Sequence, residues 1–270
     1  MRARIVSVAG GARWLVEGWS IFRRSMLGWI ALVAAYLLLT NLVAAVPVVG
    51  IFAALVIVPP LSVGLMAGAR AASRGAMPPL SLLFDGFRSN PRTQLTLGVV
   101  YMLSSLLVFL AMCAADADGQ LRAMMSGRMK PEELDPAAML APLLVAAVLY
   151  TPVMMAFWFA PPLAAWHSLG AAKSLFFSFY ACLVNWRAFL GYGALSLLLM
   201  VVLPFVALTV LVLATGGQVQ LSIMGLLGAL LIILLPTLLA SFYASYRDVF
   251  AQPEEPPGQP PADENPRDPV

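Results

Sequence analysis

Val58-Pro59-Pro60-Leu61 lies inside a charge-free run from Met26 to Ala69, and it is echoed twice, as Ala160-Pro161-Pro162-Leu163 and as Leu235-Pro236-Thr237-Leu238. Each copy falls near the same point of its own apolar segment, so the chain reads as one architectural unit used three times. A soluble chain is about half apolar and a quarter charged, whereas this one is 61% apolar and 11% charged, with a mean hydropathy of +0.89. Further charge-free blocks run from Thr93 to Ala115, from Ala137 to Ala172 and from Ala188 to Tyr246. A charge at mid-bilayer costs at least about 2.5 kcal/mol, so gaps of this kind mark membrane spans.

A spanning helix takes roughly 20 apolar residues. The blocks divide into six such stretches, near 27–46, 51–70, 94–114, 138–160, 188–214 and 221–246. Pro47-Val48-Val49-Gly50 and Thr215-Gly216-Gly217-Gln218 join the first and last pairs by turns, which Pro and Gly favour. The expected fold is all-α, an integral membrane bundle of six transmembrane helices in three helical hairpins with interfacial amphipathic helices. Residues 1–25 are expected to form an interfacial amphipathic helix and 26–250 the transmembrane domain. The tail, 251–270, holds seven prolines and five acidic residues. It offers too little apolar surface to offset its ordering entropy and reads as disordered and cytoplasmic.

Thirteen of the 16 Lys and Arg residues fall before span one, between spans two and three, between spans four and five, and after span six. Arg122, Arg128 and Lys130 are on the other side. The positive-inside rule then places both termini in the cytoplasm, with the protein multi-pass in a bacterial inner membrane. The formal charge of +3 reflects this orientation. No basic run is long enough to follow a phosphate backbone, so nucleic acid is not an expected partner. The lipid bilayer is, and other membrane proteins are further candidates; the oligomeric state is left open.

Each proline removes a backbone donor and presses on the carbonyl four residues earlier, so Pro59, Pro60, Pro161, Pro162 and Pro236 are candidate hinges at which a helix kinks or breaks. Gly64 and Gly68, one turn apart after the first break, offer a surface for close helix packing. Along the first 25 residues Ile5, Val8, Ala12, Leu15, Trp19 and Phe22 form an apolar stripe. Gly10-Gly11 weakens the helix at its middle. Arg13, Arg23 and Arg24 can reach lipid phosphates while Trp14 and Trp19 sit at headgroup depth. Phe87 with Arg88 and Arg92 forms a second interfacial element, closed by Asn90-Pro91. Lys173, Trp186 and Arg187 belong to a third, over 172–187, whose stripe is Leu175, Phe176, Phe179, Leu183 and Trp186.

His167 is the lone histidine; it is expected to cap a helix end or meet a headgroup. With one histidine and two cysteines on opposite faces, neither a histidine metal site, a Cys-His dyad nor a disulfide can be assembled. Met124, Met125 and Met129 near Cys113 have the softness cuprous ion prefers, but methionine is abundant throughout, and no catalytic, cofactor-binding or metal residue is assigned. No ionisable residue of the kind that pumps place at mid-membrane occurs in any span.

Phe159-Ala160-Pro161-Pro162-Leu163 with His167, Ser178 to Trp186, Phe189-Leu190-Gly191-Tyr192-Gly193 and Phe84-Asp85-Gly86-Phe87-Arg88 together resemble a family of small proteobacterial polytopic inner-membrane proteins known by locus-tag names. The pattern Ser178-x-x-Ala181-x-x-x-Asn185-Trp186 is also similar to the membrane region of some bacterial glycerophosphodiester phosphodiesterases. The first resemblance implies no catalytic residues, and the second hints at lipid-facing work. The expectation is a non-enzymatic membrane protein with a scaffold or envelope and lipid-homeostasis role, the alternative being a transporter or channel for lipid-like or small apolar solutes that uses the Pro-kinked helices.

Overall fold

The computed structural model describes residues 3–130, 133–214 and 220–250. The second expected turn and the expected disordered tail lie outside them. The described chain is helical and without strands. In order come α1 (Val8–Arg24), α2 (Met26–Ala44), α3 (Gly50–Ser73), a 3-10 turn (Leu80–Phe84), α4 (Asp85–Arg88), α5 (Pro91–Ala114) and α6 (Gln120–Met125). There follow α7 (Pro136–Phe157), α8 (Ala160–Trp166), α9 (Ala171–Val184), α10 (Trp186–Leu197), a π segment (Leu198–Val202), α11 (Leu203–Ala214) and α12 (Gln220–Phe250). Five stretches, Met26–Ala44, Gly50–Ser73, Pro91–Ala114, Pro136–Trp166 and Trp186–Ala214, are long and apolar enough to cross a membrane. α12, 31 residues long, stands in the place of the sixth.

Local chemistry sets the helix ends. Ser7 caps α1 by accepting from the Gly10 N–H, and Asp135 caps α7 by accepting from the Ala137 N–H. Asn90 takes a left-handed backbone, φ 56°, and Pro91 opens α5 behind it, so the sharp entry into the third span is written in that dipeptide. α3 is the hub, packing against α2, α5, α8 and α12.

Of the two outcomes expected at the prolines, kink or break, a break is absent at Pro59 and Pro60, where α3 is continuous from Gly50 to Ser73, and at Pro236, through which α12 runs. Among the described residues, the proline-bearing helix of the second hairpin alone is interrupted near its proline pair, at Trp158-Phe159 just ahead of Pro161-Pro162. The expectation that placed Trp14 among lipid headgroups needs correction, because its side chain is turned into the protein. It is 1% exposed, its indole N–H donates to Asp248 Oδ2 at 2.9 Å, and its ring packs on Phe189 and Tyr192.

α1 is also more than a surface anchor. Gly10, Gly11, Trp14, Gly18 and Ile21 face inward against α10 and α12. Ile5 is 75% exposed and Val8 52%, whereas Leu15 and Phe22 from the same expected stripe are buried. A Cβ on Gly11 would collide with the Ala188 carbonyl, and one on Gly18 would lie 2.5 Å from the Thr237 carbonyl. The glycines therefore serve close backbone approach, the usual basis of helix association where no water drives burial. Asn185 fastens the segment before α1. It accepts from the Val6 N–H at 2.7 Å and donates to the Arg4 carbonyl at 3.0 Å.

Candidate functional site

The three proline sites are each covered by neighbouring elements that bring glycines or hydrogen-bonding side chains onto them. At the first, the turn between α3 and α5 lies across the helix. A Cβ on Gly86 would strike the Pro60 carbonyl, and one on Gly64 would strike Leu83. On another side Gly98 of α5 presses against the carbonyl of Val56, the acceptor that Pro60 leaves without its helical donor. Ser62 Oγ donates to the Pro59 carbonyl at 2.7 Å.

At the second site α9 supplies a hydroxyl. Phe159 N–H donates to Ser178 Oγ at 2.9 Å, and Ser178 Oγ donates to the Met155 carbonyl at 2.8 Å. In an unbroken helix Phe159 N–H and Met155 C=O would pair directly, so the serine is inserted into the ladder at the break. Gln94 Nε2 adds a 2.7 Å bond to the Pro161 carbonyl from a fully buried position. At the third site the N-terminal helices do the covering. Trp29 Nε1 donates to the Pro236 carbonyl at 2.7 Å, and Gly18 abuts Thr237.

The proline-bearing helices converge on a cavity of about 220 Å³. Val58, Pro59, Leu65 and Met66 come from α3, Phe157, Trp158 and Pro161 from around the break, and Leu239 and Phe242 from α12. Tyr36, Ser62 and Tyr101 bring the polar atoms. A second crevice of about 470 Å³ lies between α7, α9 and α10; Met154 and Trp158 line both spaces. Tyr101, on the first, and Tyr150, on the second, join hydroxyls at 2.5 Å.

A third space, about 270 Å³, lies where α3, α8 and α12 end. Arg70, Trp166, His167, Tyr246 and Arg247 line it. The Arg70 guanidinium sits 5.6 Å over the Trp166 ring, His167 Nε2 meets the Tyr246 hydroxyl at 2.7 Å, and Arg247 pairs with Glu17 at 2.6 Å. His167 follows α8 as its C-cap, its N–H on the Leu163 carbonyl. The residue is exposed, and the partial desolvation of its ring lowers the imidazole's pKa from its usual value.

The remaining expected residues scatter. Arg13, Arg23, Arg24, Arg88, Arg92, Lys173, Trp186 and Arg187 are exposed, and Trp19 is 38% exposed. Phe87 is half-buried. Arg24 donates to the Ser73 carbonyl at 2.6 Å, and Arg187 stacks on Trp186. Gly64 and Gly68 do not share one neighbour, since Gly68 faces Trp29 and Leu32 of α2. In the loop after α5, Asp116 is buried. Desolvation would raise its pKa, but the backbone N–H groups of Arg122 and Leu121 and the Arg122 side chain outweigh that and lower it. Among the described residues no three His, Cys, Asp or Glu side chains cluster as a metal site would require.

Sequence reasoning missed Gln94, Trp29, Arg70, Tyr246 and Arg247. A signal existed for Gln94, an amide at the edge of an otherwise apolar run. The others are ordinary interfacial residues until the fold brings them together.

No family profile and no solved structure matches the chain. A probable inner membrane protein of Burkholderia thailandensis is 38% identical over 264 residues, which cover 94% of this chain and 95% of that protein. Identity at that level along both whole chains, across the same succession of apolar segments, means that this polytopic membrane protein belongs to the same family as that probable inner membrane protein.

Proposed function

We propose that the protein is a lipid-handling component of the bacterial inner membrane that binds the apolar part of an amphiphile and serves envelope lipid homeostasis without chemistry of its own. Its Lys- and Arg-rich end, with both termini, faces the cytoplasm in this reading. One observation carries it: the three proline-bearing helices line an apolar cavity of about 220 Å³ whose lining includes hydroxyl side chains and no charged one. Such a lining suits hydrocarbon and offers nothing to an ion. The relative's description as a probable inner membrane protein fits the location.

The test uses full-length protein in mixed micelles and a pyrene-labelled diacylglycerol, read by energy transfer from tryptophan. Saturable binding is expected, and Ser62→Phe and Leu239→Phe, which add bulk to the cavity from α3 and α12 without adding an energy-transfer donor, are each expected to weaken it about tenfold, or about 1.4 kcal/mol. Non-saturable transfer, or binding by both filled variants as tight as that of the unaltered protein, defeats the reading.

A second reading, transport of lipid-like solutes, has its own observation. Met154 and Trp158 are shared walls of the two cavities, and the Tyr101–Tyr150 pair stands between them. It requires that protein-loaded liposomes move lipid between leaflets faster than empty ones, and that Tyr150→Phe alters the rate.

A further inference from the structure

The apolar cavity and the basic space at the helix ends are built on the same three helices in the same order. On α3, Met66 lines the first and Arg70 the second; on α12, Phe242 lines the first and Tyr246 the second. Four residues of helix rise about 6 Å, one turn. On the third wall Pro161 belongs to the first and Trp166 to the second. A hydrocarbon-lined space therefore gives way, one turn on, to one lined by two guanidinium groups, an imidazole and phenols.

Charge in this second space is unbalanced. None of its lining side chains is acidic. Arg247 is engaged by Glu17, and the nearby Asp248 is engaged by Trp14. The Arg70 guanidinium lies over Trp166 and has no carboxylate or carbonyl partner among the described residues. Arginines in the last turns of α3 and α12 also suit the negative helix ends, which accounts for each alone but not for their convergence on one cavity beside His167 and Tyr246. A guanidinium held by its face keeps its rim of N–H donors directed outward, the arrangement that recognises phosphate in two-pronged fashion. Trp166 and Tyr243 are the side chains that favour headgroup depth.

We propose that Arg70, with Arg247, His167 and Tyr246, binds the phosphate of a lipid headgroup whose chains enter the neighbouring apolar cavity. This rests on the lipid-binding reading above and assigns the headgroup chemistry.

Full-length protein in detergent micelles is titrated with dioctanoyl phosphatidic acid, dioctanoyl glycerol and inorganic phosphate, and binding is followed by native mass spectrometry. The phosphorylated lipid is expected to bind at least about tenfold more tightly than the uncharged one, as a charge-assisted contact should allow. Arg70→Gln abolishes that preference, Arg70→Lys keeps part of it, and Arg92→Gln, at the same end of the bundle but outside the cavity, leaves it unchanged. Arg247→Gln, expected to reduce the preference, decides the matter if Arg70→Gln lowers the unfolding temperature. Equal binding of the two lipids overturns the headgroup assignment while leaving the chain-binding reading standing, and equal losses in Arg70→Gln and Arg92→Gln reduce it to general surface charge. Inorganic phosphate bound as tightly as phosphatidic acid overturns the lipid source. Failure of both lipids to saturate removes both proposals.

Discussion

Pro59-Pro60 and Pro161-Pro162 are the same dipeptide at equivalent points of successive hairpins, yet α3 passes through the first intact while the second hairpin breaks at Trp158-Phe159. The covalent cause is identical: two missing donors and two crowded carbonyls. What differs is the neighbour. Over α3 lie glycine backbones, Gly86 against the Pro60 carbonyl and Gly98 against the Val56 carbonyl, which approach closely but insert nothing. Over the second site lies Ser178, whose hydroxyl takes the place of a helical bond between Phe159 and Met155. A proline pair thus says that a helix has groups to satisfy. The element packed across it decides whether the ladder opens.

The largest effect expected from this contrast is for Ser178→Ala. It strips a buried N–H and a half-buried carbonyl of their shared partner, and unsatisfied groups cost about 1–3 kcal/mol each, so a loss of roughly 3 kcal/mol is expected in SDS-titrated unfolding from mixed micelles. A loss below about 1 kcal/mol would mean that the helix recloses without the serine, making Ser178 the cause of the break rather than its remedy. Next is Gly86→Ala. The added methyl meets the Pro60 backbone, which cannot swing aside as a side chain can, and overpacking costs typically 1–3 kcal/mol, so about 2 kcal/mol is expected in the same assay. An unchanged midpoint would show that the turn before α5 does not hold α3 together.

The helix succession was legible because it depends on gaps between charges, a property of long stretches. The span expected at 94–114 is found as Pro91–Ala114 and the one at 188–214 as Trp186–Ala214. Packing faces were harder to read. In α9 Phe176 and Leu183 of the expected stripe turn away from the protein, Phe176 being 64% exposed, whereas Leu175 packs inward and Ser174, Ser178, Ala181 and Cys182 are buried. In α1 Gly10 and Gly11, read as a weak point, are the contact surface. Periodicity of apolar residues locates a buried face when water is the solvent. In lipid the apolar side chains lose nothing by facing outward, so small and hydrogen-bonding residues mark the inner face instead. Convergence was not legible at all. Arg70 and Arg247 are 177 positions apart and each looks like an interfacial anchor.

The smallest expected effect is the sharpest control. Ser62 and Ser178 donate to proline-site carbonyls at 2.7 and 2.8 Å, so bond length does not distinguish them. Ser62, however, bonds within its own helix, three residues back, is half-buried, and accepts from no backbone N–H of a neighbouring element among the described residues. A serine bonding back to its own helix contributes little, and Ser62→Ala is expected to change unfolding free energy by under about 0.5 kcal/mol, within the range of substitutions that disturb no buried network. If it instead matched Ser178→Ala, the intact helix at Pro59-Pro60 would depend on its hydroxyl as much as the broken one does, and the two sites would differ in geometry alone. A near-silent Ser62→Ala beside a costly Ser178→Ala would assign the difference to the Phe159 N–H and Met155 carbonyl, which a side chain of a neighbouring helix satisfies.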